Sequence, residues 1–253
     1  MKPAAAALAS IVVALAACGG DDGSAGKPQL TVSAAASLKA AFTEYGRQFS
    51  GASARFSFAG SDELAAQIEK GVKPDLFAAA NTKLPDALYA KGLVEKPTVF
   101  AGNRLVLAVP AQGAKVDSLT DLERDGVTLA VGSQDVPVGA YTRTVLENLP
   151  AARSKAILGN VRSEEPDVAG ITGKLTQGAV DAGFLYASDV RATDDKLRAI
   201  GLPDALQPTV AYGVAVVKGA EHPEQARAFV AGLLDGAGAE ALRAAGFEPP
   251  PTR

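Results

Sequence analysis

From residue 29 onward, short runs of Val, Leu, Phe and Ala alternate with stretches in which apolar positions recur every three or four residues. The runs Leu30 to Ala34, Arg55 to Ala59, Leu76 to Ala79, Leu105 to Val109, Thr128 to Val131, Ala182 to Tyr186 and Tyr212 to Val217 have the length and residue types of strands. Between them, Leu38 to Phe49, Asp62 to Lys70, Pro85 to Lys91, Gly139 to Asn148, Val168 to Gln177 and Pro223 to Leu234 read as helices. Strands alternating with helices predict an α/β fold of largely parallel sheets flanked by helices. Two interruptions divide the chain: Asn103 to Val109 runs into Pro110-Ala111-Gln112-Gly113, and Leu206-Gln207-Pro208 precedes another apolar strand. They bracket a middle segment of domain size. The expected organisation is therefore two lobes, 29–109 with 207–253 and 110–206, joined by two crossing strands with hinges near Val109 to Ala111 and Gln207 to Thr209. No internal repeat is visible.

The first 28 residues follow a different pattern. Met1-Lys2 is a short positive start, and Ala4 to Ala17 is an apolar run too short to span a bilayer as a mature helix. Residues 1–17 read as a signal peptide. Leu15-Ala16-Ala17-Cys18 resembles the lipobox of bacterial lipoproteins, which implies that the Cys18 thiol is acylated and that the chain is held extracytoplasmically on a membrane. The Gly, Asp and Ser of residues 18–28 then form the lipid anchor and a flexible tether. Cys18 is the only cysteine, so an intrachain disulfide or a cysteine zinc site is excluded.

Composition narrows the partners. At 47% hydrophobic and 21% charged residues the chain is ordinary globular protein, and its net charge of -3 is spread without basic runs. Nucleic acid is not an expected partner. Enzymatic machinery is not visible either. The single histidine, His222, precedes Pro223 at a helix start, and no Gly-x-Ser-x-Gly elbow occurs. Gly170-Ile171-Thr172-Gly173-Lys174 lacks the spacing of a phosphate-binding loop, and Glu164-Glu165 and Asp194-Asp195 lie in polar, solvated stretches.

What remains is a set of hydroxyls where strands run into helices. Ser37 follows the first strand and Ser61 the second, each at a helix start where unpaired amides and the positive end of the dipole can receive an anion. Either serine alone reads equally well as the N-cap of its own helix. Val138 follows Pro137, and Val168 follows Asp167, so both place an amide in a first turn. Tyr186 ends an apolar strand, where its hydroxyl can face a cleft, although an ordinary half-buried core tyrosine fits that position too.

From Leu30 to Phe247 these segments together resemble the molybdate-binding proteins of ABC transporters, which are type II periplasmic binding proteins. The resemblance is carried by Ala34-Ala35-Ala36-Ser37-Leu38, Phe58-Ala59-Gly60-Ser61, Pro74-Asp75-Leu76-Phe77-Ala78-Ala79-Ala80, Gly102-Asn103-Arg104-Leu105-Val106, Val136-Pro137-Val138-Gly139-Ala140-Tyr141, Glu165-Pro166-Asp167-Val168 and Gly183-Phe184-Leu185-Tyr186-Ala187-Ser188-Asp189. It implies two lobes with an oxyanion bound between them. Ser37 and Ser61 are then hydroxyl and amide donors, Val138 and Val168 amide donors, and Tyr186 a phenol donor. The ligand implied is molybdate or tungstate, with molybdenum present only inside the oxyanion and no cofactor. The partner implied is an ABC permease, and the protein is expected to be a monomer. A sulfate receptor is the neighbouring alternative, and a scaffold lipoprotein that binds no anion is the third class.

Two departures from the family pattern bear on the site. Asp62-Glu63 follows Ser61, where small or hydroxyl residues are expected, and both carboxylates should turn to solvent, where they favour the helix N-terminus. Val138 stands where alanine is frequent, so its methyls narrow the cleft. Asp75 is expected to be structural rather than a ligand.

Overall fold

The computed structural model describes residues 27–251. The signal peptide, Cys18 and most of the tether lie outside the described residues. Ten strands form two five-stranded sheets. The first contains β1 (Gln29–Ala35), β2 (Ser53–Ala59), β3 (Leu76–Ala79), β4 (Thr98–Asn103) and β10 (Val210–Val216), in the order β2-β1-β3-β10-β4. The second contains β5 (Leu105–Pro110), β6 (Leu129–Gly132), β7 (Val161–Glu165), β8 (Ala182–Tyr186) and β9 (Leu197–Gly201), in the order β7-β6-β8-β5-β9. The helices are α1 (Lys39–Gln48), α2 (Ser61–Glu69), α3 (Lys83–Ala90), α4 (Pro137–Glu147), α5 (Ala151–Gly159), α6 (Val168–Thr176), α7 (Ala187–Arg191), α8 (Pro223–Leu234) and α9 (Ala237–Ala244). Among the described residues, no helix is long and apolar enough to cross a membrane.

The two sheets repeat one plan. In each, three parallel strands are followed by a reversed strand and then by one that runs with the first three. The reversed strands, β10 and β5, are those that enter from the other lobe. A side-chain clasp repeats as well. Asp75 Oδ2 accepts from the Thr31 amide (2.7 Å) and hydroxyl (2.8 Å), and Asp181 Oδ2 accepts from the Thr128 amide (2.9 Å) and hydroxyl (2.8 Å). Each ties the entry of a central strand to its neighbour. The structure thus holds an internal repeat of topology that the residue pattern does not reveal.

The sheets form where continuous apolar runs can be buried on both faces, as at β3, β6 and β8, whose residues are all buried. The first crossing differs from expectation. The run Asn103 to Val109 is not one strand: Asn103 Oδ1 accepts the Arg104 amide at 2.9 Å, which takes that amide out of any ladder. Leu105–Pro110 pairs with β8 and β9, so the first lobe ends at Asn103 and not at Val109, and the crossing is Arg104. The second crossing occupies 202–209, between β9 and β10, with the Gln207 Nε2 donating to the Leu105 carbonyl at 2.9 Å.

Candidate functional site

Both sheets point the C-terminal ends of their parallel strands at the gap between the lobes, and the helix N-termini that follow converge there. Ser37, Ser61, Val138, Val168 and Tyr186 all line one small cavity in that gap. It offers about 20 Å³ to the centres of water-sized atoms, room for a compact ion and not for a sugar or peptide. The lobes meet closely beside it: a Cβ on Gly60 would stand 2.7 Å from the Pro166 carbonyl oxygen across the gap.

Neither serine caps its own helix. The turn Ala36–Leu38 has Ala35 as its N-cap and α2 has Gly60, both without a side-chain bond. The Ser61 Oγ instead accepts the Ala80 amide at 3.1 Å, which occupies a lone pair and leaves its proton to donate elsewhere. The Ser37 Oγ lies 2.9 Å from the Tyr212 hydroxyl. In the second lobe the donors are backbone. Pro137 has no amide, so Val138 is the first donor of α4, and the tight turn behind it depends on Gly139, where a Cβ would collide with the Ser133 carbonyl. Asp167 Oδ1 accepts the Ala169 (2.8 Å) and Gly170 (3.0 Å) amides, leaving the Val168 amide as the free first-turn donor of α6.

Tyr186 is 1% exposed and its hydroxyl has no hydrogen-bond partner. Burial, with the neighbouring Tyr212 and Tyr141, pushes its pKa well above the usual phenol value, so it stays protonated and acts as a donor. Its ring meets Tyr141 and Tyr212 edge-on, with centroids 6.3 and 5.8 Å away. A buried donor without an acceptor is costly, and a bound anion is what would satisfy it. The cavity lining contains no Lys, Arg or His. Among the described residues, no group of three or more His, Cys, Asp or Glu could hold a metal cation.

Residues behind the lining were not foreseen. Asp189, buried in α7, accepts the Tyr186 amide at 3.1 Å, and burial pushes its pKa up to about 7. Tyr212 and Asn103, both buried, back Ser37. Only the apolar run around Tyr212 hinted at them, through the one polar atom it has to place. The expectation for Asp62 is corrected. Glu63 is exposed, but the Asp62 Oδ1 is buried without a partner, folded back toward Gly60 at the seam where the lobes meet.

Two lobes joined by two crossings, with preorganised donors converging on a small cleft, have the architecture of a solute-binding protein. The chain belongs to the family of bacterial extracellular solute-binding proteins, whose model matches residues 30–248. It is 35% identical to the molybdate-binding protein ModA of Mycobacterium tuberculosis, over 96% of this chain and 95% of that one. To the protein of the same name from Escherichia coli it is 31% identical, over 87% and 88%. Among solved structures, the substrate-binding domain of a putative molybdenum ABC transporter from Clostridium difficile superposes with a TM-score of 0.65 at 28% identity, covering 87% of this chain and 98% of that one. The periplasmic molybdate-binding protein of Azotobacter vinelandii shares the fold, with a TM-score of 0.77 at 19% identity over 88% and 100%.

Proposed function

We propose that the protein captures molybdate, and tungstate with it, in the interlobe cleft and delivers it to the permease of an ABC transporter. The observation that carries this reading is the unpartnered, buried Tyr186 hydroxyl facing a small cavity whose other donors are neutral hydroxyls and amides. A tetrahedral dianion accepts from every direction, and hydrogen bonds to a charged acceptor are about twice as strong as neutral ones. The names of the relatives support the same ligand. The protein works as a monomer, held outside the cytoplasm by a lipid on Cys18.

The donor set also sets an order of preference. Phosphate keeps a proton at neutral pH, whereas the five assigned groups all donate toward the anion, and the carboxylate in the lining, Asp167, is turned by its Oδ1 to the Ala169 and Gly170 amides of its own helix. Burying that proton without an acceptor costs about 1 to 3 kcal/mol. Sulfate has no such proton but is smaller than molybdate, and donors fixed for the larger ion lose contact with it. Calorimetry of the mature chain against the four anions should rank molybdate and tungstate first, sulfate well below, and phosphate last. Phosphate displacing molybdate at comparable concentration would overturn the reading. For the anchor, Cys18→Ala should move the protein from the membrane to the soluble fraction.

A further inference from the structure

We infer that Tyr212 is a positioning residue for the anion site: with Asn103 it fixes the direction in which the Ser37 hydroxyl donates. This rests on the molybdate reading above. Asn103 closes β4 and Tyr212 sits in β10, so both belong to the strands that cross between the lobes. The Asn103 amide orientation is determined by its neighbours. Its Oδ1 accepts the Arg104 amide at 2.9 Å, so Nδ2 is the end that faces Ser188 Oγ at 2.8 Å and the Tyr212 hydroxyl at 3.5 Å. A donor pointed at the Tyr212 oxygen leaves the Tyr212 proton to go to its other neighbour, the Ser37 Oγ at 2.9 Å. Ser37 then has a filled lone pair and a free proton, which turns into the cleft. Without Tyr212, the Ser37 hydroxyl can spend its proton inside the protein.

The string Ser37, Tyr212, Asn103, Ser188 is buried throughout and begins in the first lobe's cleft wall and ends in α7 of the second lobe. A donor belonging to one lobe is thus oriented by groups on the crossing strands and on the other lobe. The role differs from packing because it acts through one proton, and that makes it separable by experiment.

The test is a double-mutant cycle on the mature chain, reading molybdate affinity by calorimetry and apo stability by thermal unfolding. Tyr212→Phe keeps the ring and should weaken molybdate about fivefold. Ser37→Ala should weaken it more, and in that background Tyr212→Phe should add less than about twofold, because there is no proton left to orient. Equal affinity of wild type and Tyr212→Phe, or losses that multiply in the double variant, would overturn the inference while leaving the molybdate reading intact. A wild type that binds none of the four oxyanions would overturn the molybdate reading and the inference with it. Should Tyr212→Phe fail to fold, Asn103→Ala supplies the same test. It removes the donor that directs Tyr212 and should also lose affinity only when Ser37 is present, and a loss that persists without Ser37 would again overturn the inference.

Discussion

The two lobes are built on one topology and clasped by the same Thr–Asp pairing, yet they hold the cleft in different ways. The first offers side chains, the Ser37 and Ser61 hydroxyls. The second offers the Val138 and Val168 amides and a single phenol, Tyr186. Their cores differ too. Phe42, Tyr45, Phe49, Phe56 and Phe229 make an aromatic cluster in the first, with centroid separations down to 4.3 Å, while Val145, Ile157, Ile171, Leu175 and Phe184 are among the buried residues of the second. A shared topology therefore fixes where helix N-termini point, and side-chain chemistry is layered onto it differently on each side. In one lobe the donors are written in residue types, and in the other mainly in backbone position.

The clasps give the most direct way to break the likeness. Asp75 is 1% exposed, and its Oδ1 also accepts the His222 amide at 2.7 Å, whereas the side chain of Asp181 is 14% exposed and paired with Lys115 at 2.9 Å. Asp75→Ala takes a fully buried acceptor from the part-buried Thr31 and His222 amides, each loss costing about 1 to 3 kcal/mol, and should lower stability by roughly 3 to 5 kcal/mol. Asp181→Ala should cost about 1 to 2 kcal/mol, because water can reach the groups it leaves. Denaturant unfolding checks both, and equal losses would mean that the clasps are equivalent after all.

The turns after the third parallel strand sharpen the contrast. In the first lobe the neutral Asn81 accepts the Leu84 amide at 3.1 Å, and in the second the titratable Asp189 accepts the Tyr186 amide. With its pKa pushed by burial from the ordinary aspartate value to about 7, Asp189 holds its proton more tightly in the folded state. Its contribution is fully present below about pH 4 and is lost as pH rises through 7, on the order of 4 kcal/mol in all. Asp189→Asn should flatten that part of the stability profile measured from pH 4 to 8. A profile of unchanged slope in the variant would assign the titration elsewhere.

Smaller effects separate the donors. Tyr186→Phe should weaken molybdate by roughly 1.5 to 3 kcal/mol and at the same time raise apo stability slightly, since it removes a buried donor that has no protein partner. Ser61→Ala should lose similar affinity but destabilise the fold as well, because the Ala80 amide loses its acceptor. Apo melting curves next to calorimetry distinguish the two. Val138→Ala should change affinity least, less than about 1 kcal/mol, because only its amide faces the anion.

These contrasts also explain what could be read from residues alone. Leu76–Ala79 and Ala182–Tyr186 announce themselves because both faces are buried, and the strand-to-helix hydroxyls of Ser37 and Ser61 follow from them. The edge strand Val161–Glu165 does not, since alternate residues face solvent and its sequence, Val-Arg-Ser-Glu-Glu, is mostly polar. The first crossing was hidden inside an apolar run because a single side-chain bond, Asn103 to the Arg104 amide, ends the strand. The amides of Val138 and Val168 carry no side-chain signature and came from family resemblance. Tyr212 was hidden for a different reason: the hydroxyl that it meets lies 175 residues away in the chain.

The strand order carries a consequence for how the chain assembles. The second sheet draws all its strands from one continuous segment, 105–201, whereas β4 of the first sheet touches that sheet only through β10. A chain emerging N-terminus first can therefore close its inner lobe while the outer one still waits for residues 210–216, reversing the usual order of domain completion. Ser37 reaches its final orientation last, since Tyr212 arrives with β10. Pulse-labelled hydrogen exchange during refolding should register this as protection of Leu129–Gly132 before Val210–Val216, and the opposite sequence of protection would sink the scheme.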